Sequence, residues 1–170
     1  MSRAFVDEDN DQPEGLPEIP QSSNPGYITP HGLAALKGEL AQLEEVERPP
    51  LTERIAEGGA NATRAEISLL RIDQRINYLR ARIARAIVID PASSSHEHAH
   101  FGSSVLVRNG NGEQMQVRIV GEDETDPDHG MVSWVSPLAR ALMSRSVGDR
   151  VTWHRPIGDL ELTILAIEPL

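Results

Sequence analysis

Apolar residues in the first half of the chain recur every three or four positions. Leu33, Leu36, Leu40, Leu43 and Val46 form one series, and Leu69, Ile72, Ile76, Leu79 and Ile83 form a second. This spacing puts each series on one stripe of a helix, and a seam sustained over two heptads is that of a coiled coil. Thr29-Pro30 predicts the start of the first helix, with Thr as N-cap and Pro in the first helical position. Pro49-Pro50 predicts a kink, because each proline lacks the amide hydrogen and crowds the preceding turn. Leu51 and Ile55 continue the stripe beyond it, and Gly58-Gly59-Ala60-Asn61 supplies a turn. Residues 27–90 are therefore expected to fold as an antiparallel helical hairpin, each arm burying its stripe against the other.

The second half changes period. Segments 103–109 and 114–120 flank Gly110-Asn111-Gly112, a strong hairpin signal. A third strand is expected over 131–135. Ser136-Pro137 then starts a short helix over 138–144. Gly148-Asp149 and Gly158-Asp159 turn the chain into strands over 150–154 and 160–167. The expected fold is α+β: the hairpin, then a small antiparallel sheet over 101–170 with one helix on a face. Residues 91–100, rich in Ser and His, read as a polar linker between the two.

Composition adds further constraints. The 170 residues hold 16 Lys and Arg against 26 Asp and Glu, a net charge of −10, so nonspecific wrapping of nucleic acid is not expected. The chain has no cysteine, which excludes disulfides, thiol nucleophiles and cysteine-held metals. Aromatic content is only 4%, which favours an elongated element over a large core. No apolar run approaches the roughly 18 residues of a membrane span. Acids follow the first six residues where a secretory leader would be apolar, so the protein is expected to be cytoplasmic. Residues 1–26 contain six acids, one base and four prolines, the composition of a disordered acidic tail.

The motifs of both halves resemble those of the Gre-type bacterial transcription elongation factors, the GreA/GreB family. In the hairpin these are Tyr27-Ile28-Thr29-Pro30-His31-Gly32-Leu33, Glu47-Arg48-Pro49, Ile72-Asp73-Gln74-Arg75 and Tyr78-Leu79. In the second half they are Phe101-Gly102, Arg118-Ile119-Val120-Gly121-Glu122-Asp123-Glu124, Ser136-Pro137-Leu138-Ala139-Arg140-Ala141-Leu142 and Val147-Gly148-Asp149. The resemblance covers residues 26–170. It implies an FKBP-like second domain that docks on the rim of the secondary channel of bacterial RNA polymerase. The hairpin would then reach toward the polymerase active site, and contact with the RNA 3′ end becomes an expectation. By the same resemblance the docking region is Trp134, Val135, Ser136, Pro137 and Leu138. Val135 stands where the family often has Asp or Asn.

The hairpin tip departs from the family. Family members carry a pair of acids there that helps hold a metal ion for RNA cleavage. Here the tip reads Glu57-Gly58-Gly59-Ala60-Asn61-Ala62-Thr63-Arg64-Ala65-Glu66, without the acid pair. Alignment between the Arg-Pro and Val88-Ile89-Asp90 anchors makes the hairpin about eight residues short, a loss of roughly 6 Å of reach at 1.5 Å per residue. Only Glu57 and Glu66 flank the turn, and both read as solvated helix-end charges. Transcript-cleavage stimulation is thus expected to be weak or absent, with no enzymatic activity, metal or cofactor of the protein's own.

Arg64, Arg71, Arg75 and Arg82 fall within about 20° of one line on the second arm, beside the seam. Two readings stay open for this stripe of roughly 27 Å. It faces acidic channel walls or RNA phosphate, or it pairs with Glu39, Glu44, Glu47 and Glu53 of the first arm. His96, His98 and His100 alternate as metal ligands on a strand would, but in a Ser-rich linker they read as polar spacer. Other classes remain: an active cleavage factor with a diverged tip, an adaptor without polymerase contact, or a peptidyl-prolyl isomerase. The last needs an aromatic pocket, for which the second half offers Phe101, Trp134 and Trp153. The protein is expected to be a monomer without membrane contact.

Overall fold

The computed structural model describes residues 16–93, 95 and 97–170. The acidic stretch before Leu16, and His96, lie outside the described residues. The first arm of the hairpin is helical from Pro30 to Glu57. It comprises α1 (Pro30–Ala41), a π-helical segment (Gln42–Glu47) and α2 (Arg48–Glu57). The second arm is α3 (Ala62–Ala84). Thr29 caps α1 as expected, its hydroxyl accepting from the Gly32 amide at 3.0 Å.

The proline pair does not break the arm. The π segment just before it widens the turn, so that the Arg48 amide reaches back to the Leu43 carbonyl. A π turn inserts one residue into the helical ladder, and this rotates the stripe. Leu43 stays buried, whereas Val46, expected in the seam, is 56% exposed. Leu51 and Ile55 return to half-buried positions past the prolines.

The seam itself is densest near the base of the hairpin. Leu36, Leu43, Ile76 and Leu79 are buried together with Ile28, and Leu33, Leu40, Ile72 and Ile83 pack around them. Two short strands close the base. β1 (Gly26–Ile28) pairs in parallel with β2 (Ala86–Val88), joining the two ends of the hairpin.

The second half contains β3 (Ser103–Asn109), β4 (Gln114–Val120), β5 (Met131–Ser133), α4 (Pro137–Leu142), β6 (Arg150–Trp153) and β7 (Leu160–Pro169). Their order in the sheet is β5-β4-β3-β7-β6. The sheet is mixed, which corrects the antiparallel expectation: β5 runs parallel to β4, with Arg118 opposite Met131. The ten residues between Val120 and Met131 turn twice in 3-10 geometry. That length carries the chain back for a parallel pairing where a tight hairpin could not.

Alternating residues fill the core, namely Val105 and Val107, Val117 and Ile119, Leu162 and Ile164, as period-two burial requires. α4 covers one face with Leu138, Ala139 and Leu142. A register shift between Leu106 and Val107 against β7 bends the sheet. The segment 91–100 is not a bare spacer. Pro91 and Ala99 are buried, and Ala99 exchanges backbone hydrogen bonds with Ser144 and Arg145.

Candidate functional site

The far end of the hairpin is small and polar. Gly58 and Gly59 take positive φ values of 72° and 88°, which turn the chain from α2 into α3. Asn61 stands at the N-cap of α3 without a side-chain cap, its carbonyl accepting from the Ala65 amide. Ala65 is the buried residue nearest the turn. Glu57 and Glu66 are both exposed, and neither has an ion-pair or hydrogen-bond partner among the described residues. The four residues of the turn bring no carboxylate, and Arg54 and Arg64 flank it in one shallow groove.

The four arginines of the stripe have different environments. Arg75 forms a two-pronged bond with Glu39, 2.7 and 2.9 Å long. That bond raises the guanidinium pKa above its ordinary value, against the opposing effect of burial. Other cross-arm pairs are Arg80 with Glu44 at 2.6 Å and Arg48 with Asp73 at 2.8 Å. Arg64 and Arg71, toward the tip, are exposed and have no ion-pair partner within 4.0 Å among the described residues. Of the expected partners, Glu39 and Glu44 do pair with the second arm, whereas Glu47 and Glu53 form no ion pair among the described residues.

Arg82 is the surprise. It is only 5% exposed, and it turns away from the first arm to meet the second domain. Its guanidinium lies 2.5 Å from Asp123 Oδ2 and 3.8 Å from Glu122 Oε2. Tyr78 donates its hydroxyl to the other Asp123 oxygen at 2.8 Å. Burial, and next this hydrogen bond, push the Tyr78 phenol above its ordinary pKa.

Glu124 completes the joint. It accepts from the Thr29 amide at 3.1 Å, from the Thr29 hydroxyl, and from the Gly121 amide at 2.9 Å. Its carboxylate thus sits at the N-terminus of α1, where the helix dipole favours negative charge. Close approach demands the glycines of both motifs. A Cβ at Gly32 would overlap the Glu124 carboxylate, and one at Gly121 would overlap the Tyr27 carbonyl. The run Glu122-Asp123-Glu124 is therefore a three-carboxylate clamp between sheet and hairpin. Its partners across the joint lie 40 to 100 residues away in sequence, so no local pattern marks them.

The expected docking region divides in two. Ser136 caps α4 by accepting from the Ala139 amide at 3.2 Å, and Pro137 is exposed at the helix start. Leu138 is 5% exposed and belongs to the core, so it is no surface anchor. Trp134 is half-buried against Tyr27, with ring centres 5.0 Å apart, and its indole nitrogen is buried without a hydrogen-bond partner among the described residues. The Val135 amide donates to the Ser133 hydroxyl at 3.3 Å. Tyr27 also packs on Phe101, so two of the three aromatics considered for an isomerase pocket are filled by a neighbour. The third, Trp153, lies under Arg155.

His98 meets Ser146, and His100 meets the Phe101 and Ser95 carbonyls. Among the described residues no group of three or more His, Cys, Asp or Glu side chains is placed to hold a metal. No described helix is long and apolar enough to cross a membrane.

Comparison with known proteins agrees with this two-part architecture. The N-terminal domain of transcription elongation factors GreA/GreB matches residues 26–88, and the C-terminal domain of the same family matches residues 94–169. GreB of Neisseria meningitidis serogroup A is 38% identical over 151 residues, covering 84% of this chain and 93% of that protein. GreA of Thermodesulfovibrio yellowstonii is 36% identical over 149 residues, covering 82% and 94%. Among solved structures, the GreA factor homolog Gfh1 of Thermus thermophilus matches 84% of this chain and 97% of its own at 24% identity, with a TM-score of 0.38. The two matched domains and the identity to relatives over nearly their full length place this chain in the GreA/GreB family of transcription elongation factors.

Proposed function

We propose that this elongation factor binds RNA polymerase at the rim of the secondary channel through an FKBP-like sheet domain and extends its hairpin inward, with little or no stimulation of transcript cleavage. It acts as a cytoplasmic monomer with no enzymatic activity of its own. The observation that carries this reading is the tip. Metal-assisted hydrolysis needs carboxylate oxygens about 2.0–2.1 Å from a magnesium ion. Residues 58–61 have none, and the flanking Glu57 and Glu66 are exposed. Docking draws on a separate surface around Ser136 and Pro137, so occupancy survives the loss of chemistry.

The test is the rate of 3′-end shortening in a stalled, backtracked elongation complex at saturating protein. The expected outcome is no shortening, together with dose-dependent suppression of a cleavage-active GreA or GreB. Rapid shortening that disappears with Glu57→Ala or Glu66→Ala would overturn the reading and identify a replacement acid. For docking, Pro137→Asp is the informative change, because Leu138 must stay to hold the core. Unchanged polymerase affinity in that variant removes the α4 start from the interface.

A further inference from the structure

The residues before β1 follow a definite path. The Ser22 carbonyl accepts from Arg85 at 3.1 Å, Gln21 donates to the Tyr78 carbonyl at 3.5 Å, and Gln74 donates to the Pro17 carbonyl. Leu16 then shares a groove with Leu70. Ser22 and Asn24 both donate to Glu122 Oε1, which fixes the other end. Read from Ser22 back to Leu16, the contacts move from residue 85 to 78, 74 and 70. This strap therefore runs parallel to α3, and traced backward from Ser22 it leads from the base of the hairpin toward its tip.

Fifteen residues precede Leu16 and hold Asp7, Glu8, Asp9, Asp11 and Glu14. From Leu70 to the start of α3 is about 12 Å. An extended chain covers roughly 3.3 Å per residue, so Leu16 to Asp11 alone spans about 17 Å. The strap from Ser22 back to Leu16 points toward the tip. The tip half of α3 presents what these acids would meet. Ile67, one turn beyond Leu70 on the same side, is 48% exposed. Arg64 and Arg71 lie roughly 55–75° round the helix from the strap line, within reach of long side chains. They are the two members of the stripe without an ion-pair partner among the described residues, while Arg75 and Arg82 are paired. The acids opposing this on α3 are Glu66, which is exposed, and Asp73, which is held by Arg48.

We propose that the acidic segment 7–14 docks along the tip half of α3, covers Ile67 and pairs with Arg64 and Arg71. The basic end of the hairpin is then occupied by its own chain until a stronger polyanion displaces it. Exposed pairs of this kind are individually weak and screened by salt. The short tether supplies an effective concentration of about millimolar order, so the contact sits near balance and is displaceable. The proposal does not depend on polymerase docking and is tested without polymerase.

The absence of cysteine allows a single nitroxide label at Asn10→Cys on the full chain. Relaxation of the backbone amides is read at low salt, about 50 mM, and at about 500 mM. The expected result is several-fold stronger broadening over residues 62–71 than at the Gly110-Asn111-Gly112 turn, lost at high salt. It is also lost in Arg64→Ser with Arg71→Ser, and when the five acids become Asn or Gln. Both sets of changes are at exposed or terminal positions that leave the core intact. Equal broadening at the tip and the distant turn, or tip broadening unchanged by either set, overturns the proposal.

Discussion

The two ends of the hairpin are built on opposite principles. At the base, Leu79 is fully buried and Leu36, Leu43 and Ile76 surround it, while Arg82, Tyr78 and Thr29 lock into the three carboxylates of the sheet domain. Toward the tip, burial thins to Ala65, and Val46 and Ile67 face solvent. The apolar side chains that stabilise the arms are concentrated where the arms meet the second domain, each buried Leu or Ile contributing on the order of 1.5–3 kcal/mol. What this achieves is a rigidly aimed lever with a slim end. Direction is set at the base, and the tip is left small and polar.

The largest expected break of this contrast is Arg82→Ala. It leaves Asp123 and Glu122 partly buried without their cation, a change that costs about 3–5 kcal/mol when one partner of a buried pair is removed. Denaturant unfolding should lose that much, with the hairpin melting before the sheet. Because Asp123 also accepts from Tyr78, the joint should loosen as a unit. A single transition of wild-type midpoint would show that the clamp contributes nothing to the aim of the hairpin.

A smaller effect is expected from Gly58→Ala. Gly58 has φ 72° and ψ −165°, a region open almost exclusively to glycine, and forcing alanine there costs roughly 1–3 kcal/mol. The loss should be confined to the tip: amide exchange should quicken over residues 55–66 while the base keeps its protection. Equal acceleration at Leu79 would mean that the two ends are coupled more tightly than their packing indicates.

Much of this is legible in the sequence, for reasons that are local. Thr29-Pro30, Ser136-Pro137 and Gly110-Asn111-Gly112 work through neighbours within four residues, and the strand limits 103–109 and 114–120 match β3 and β4. What escaped is nonlocal. The parallel β1–β2 pair is three residues long on each side and separated by the whole hairpin. The π segment is invisible to a periodicity argument, because it shows itself only by rotating Val46 out of the seam. Nothing local in Glu122-Asp123-Glu124 marks its pairing with Arg82 and Thr29, which the fold brings to it from 41 and 95 residues away. Residues 16–25 read as tail because prolines and acids cannot form a core, yet hydrogen bonds to α3 are enough to hold them along it. At the tip the opposite holds: a turn without acids is a local fact, and it was plain in Gly58-Gly59-Ala60-Asn61.

The smallest effect should come from the cross-arm pairs midway between the two ends. Arg75 and Glu39 meet in good two-pronged geometry, but their side chains remain 40% and 41% exposed. Water screens such a pair, and holding two long side chains in one arrangement costs entropy, so the net contribution is about 0–1 kcal/mol. Glu39→Gln keeps the shape and a neutral hydrogen bond while removing the charge. Its melting temperature should fall by only a few degrees at low salt and match wild type near 1 M salt, where the screening length is about 3 Å. Arg75 also lies over the Tyr78 ring, 5.1 Å from its centre, and Tyr78 belongs to the base clamp. If that contact transmits strain, Glu39→Gln should shift the ultraviolet titration of the Tyr78 phenol, followed in a Tyr27→Phe background. An unchanged titration together with the small salt-dependent melting shift would mark the midsection as a passive strut, separate from the joint that aims the lever.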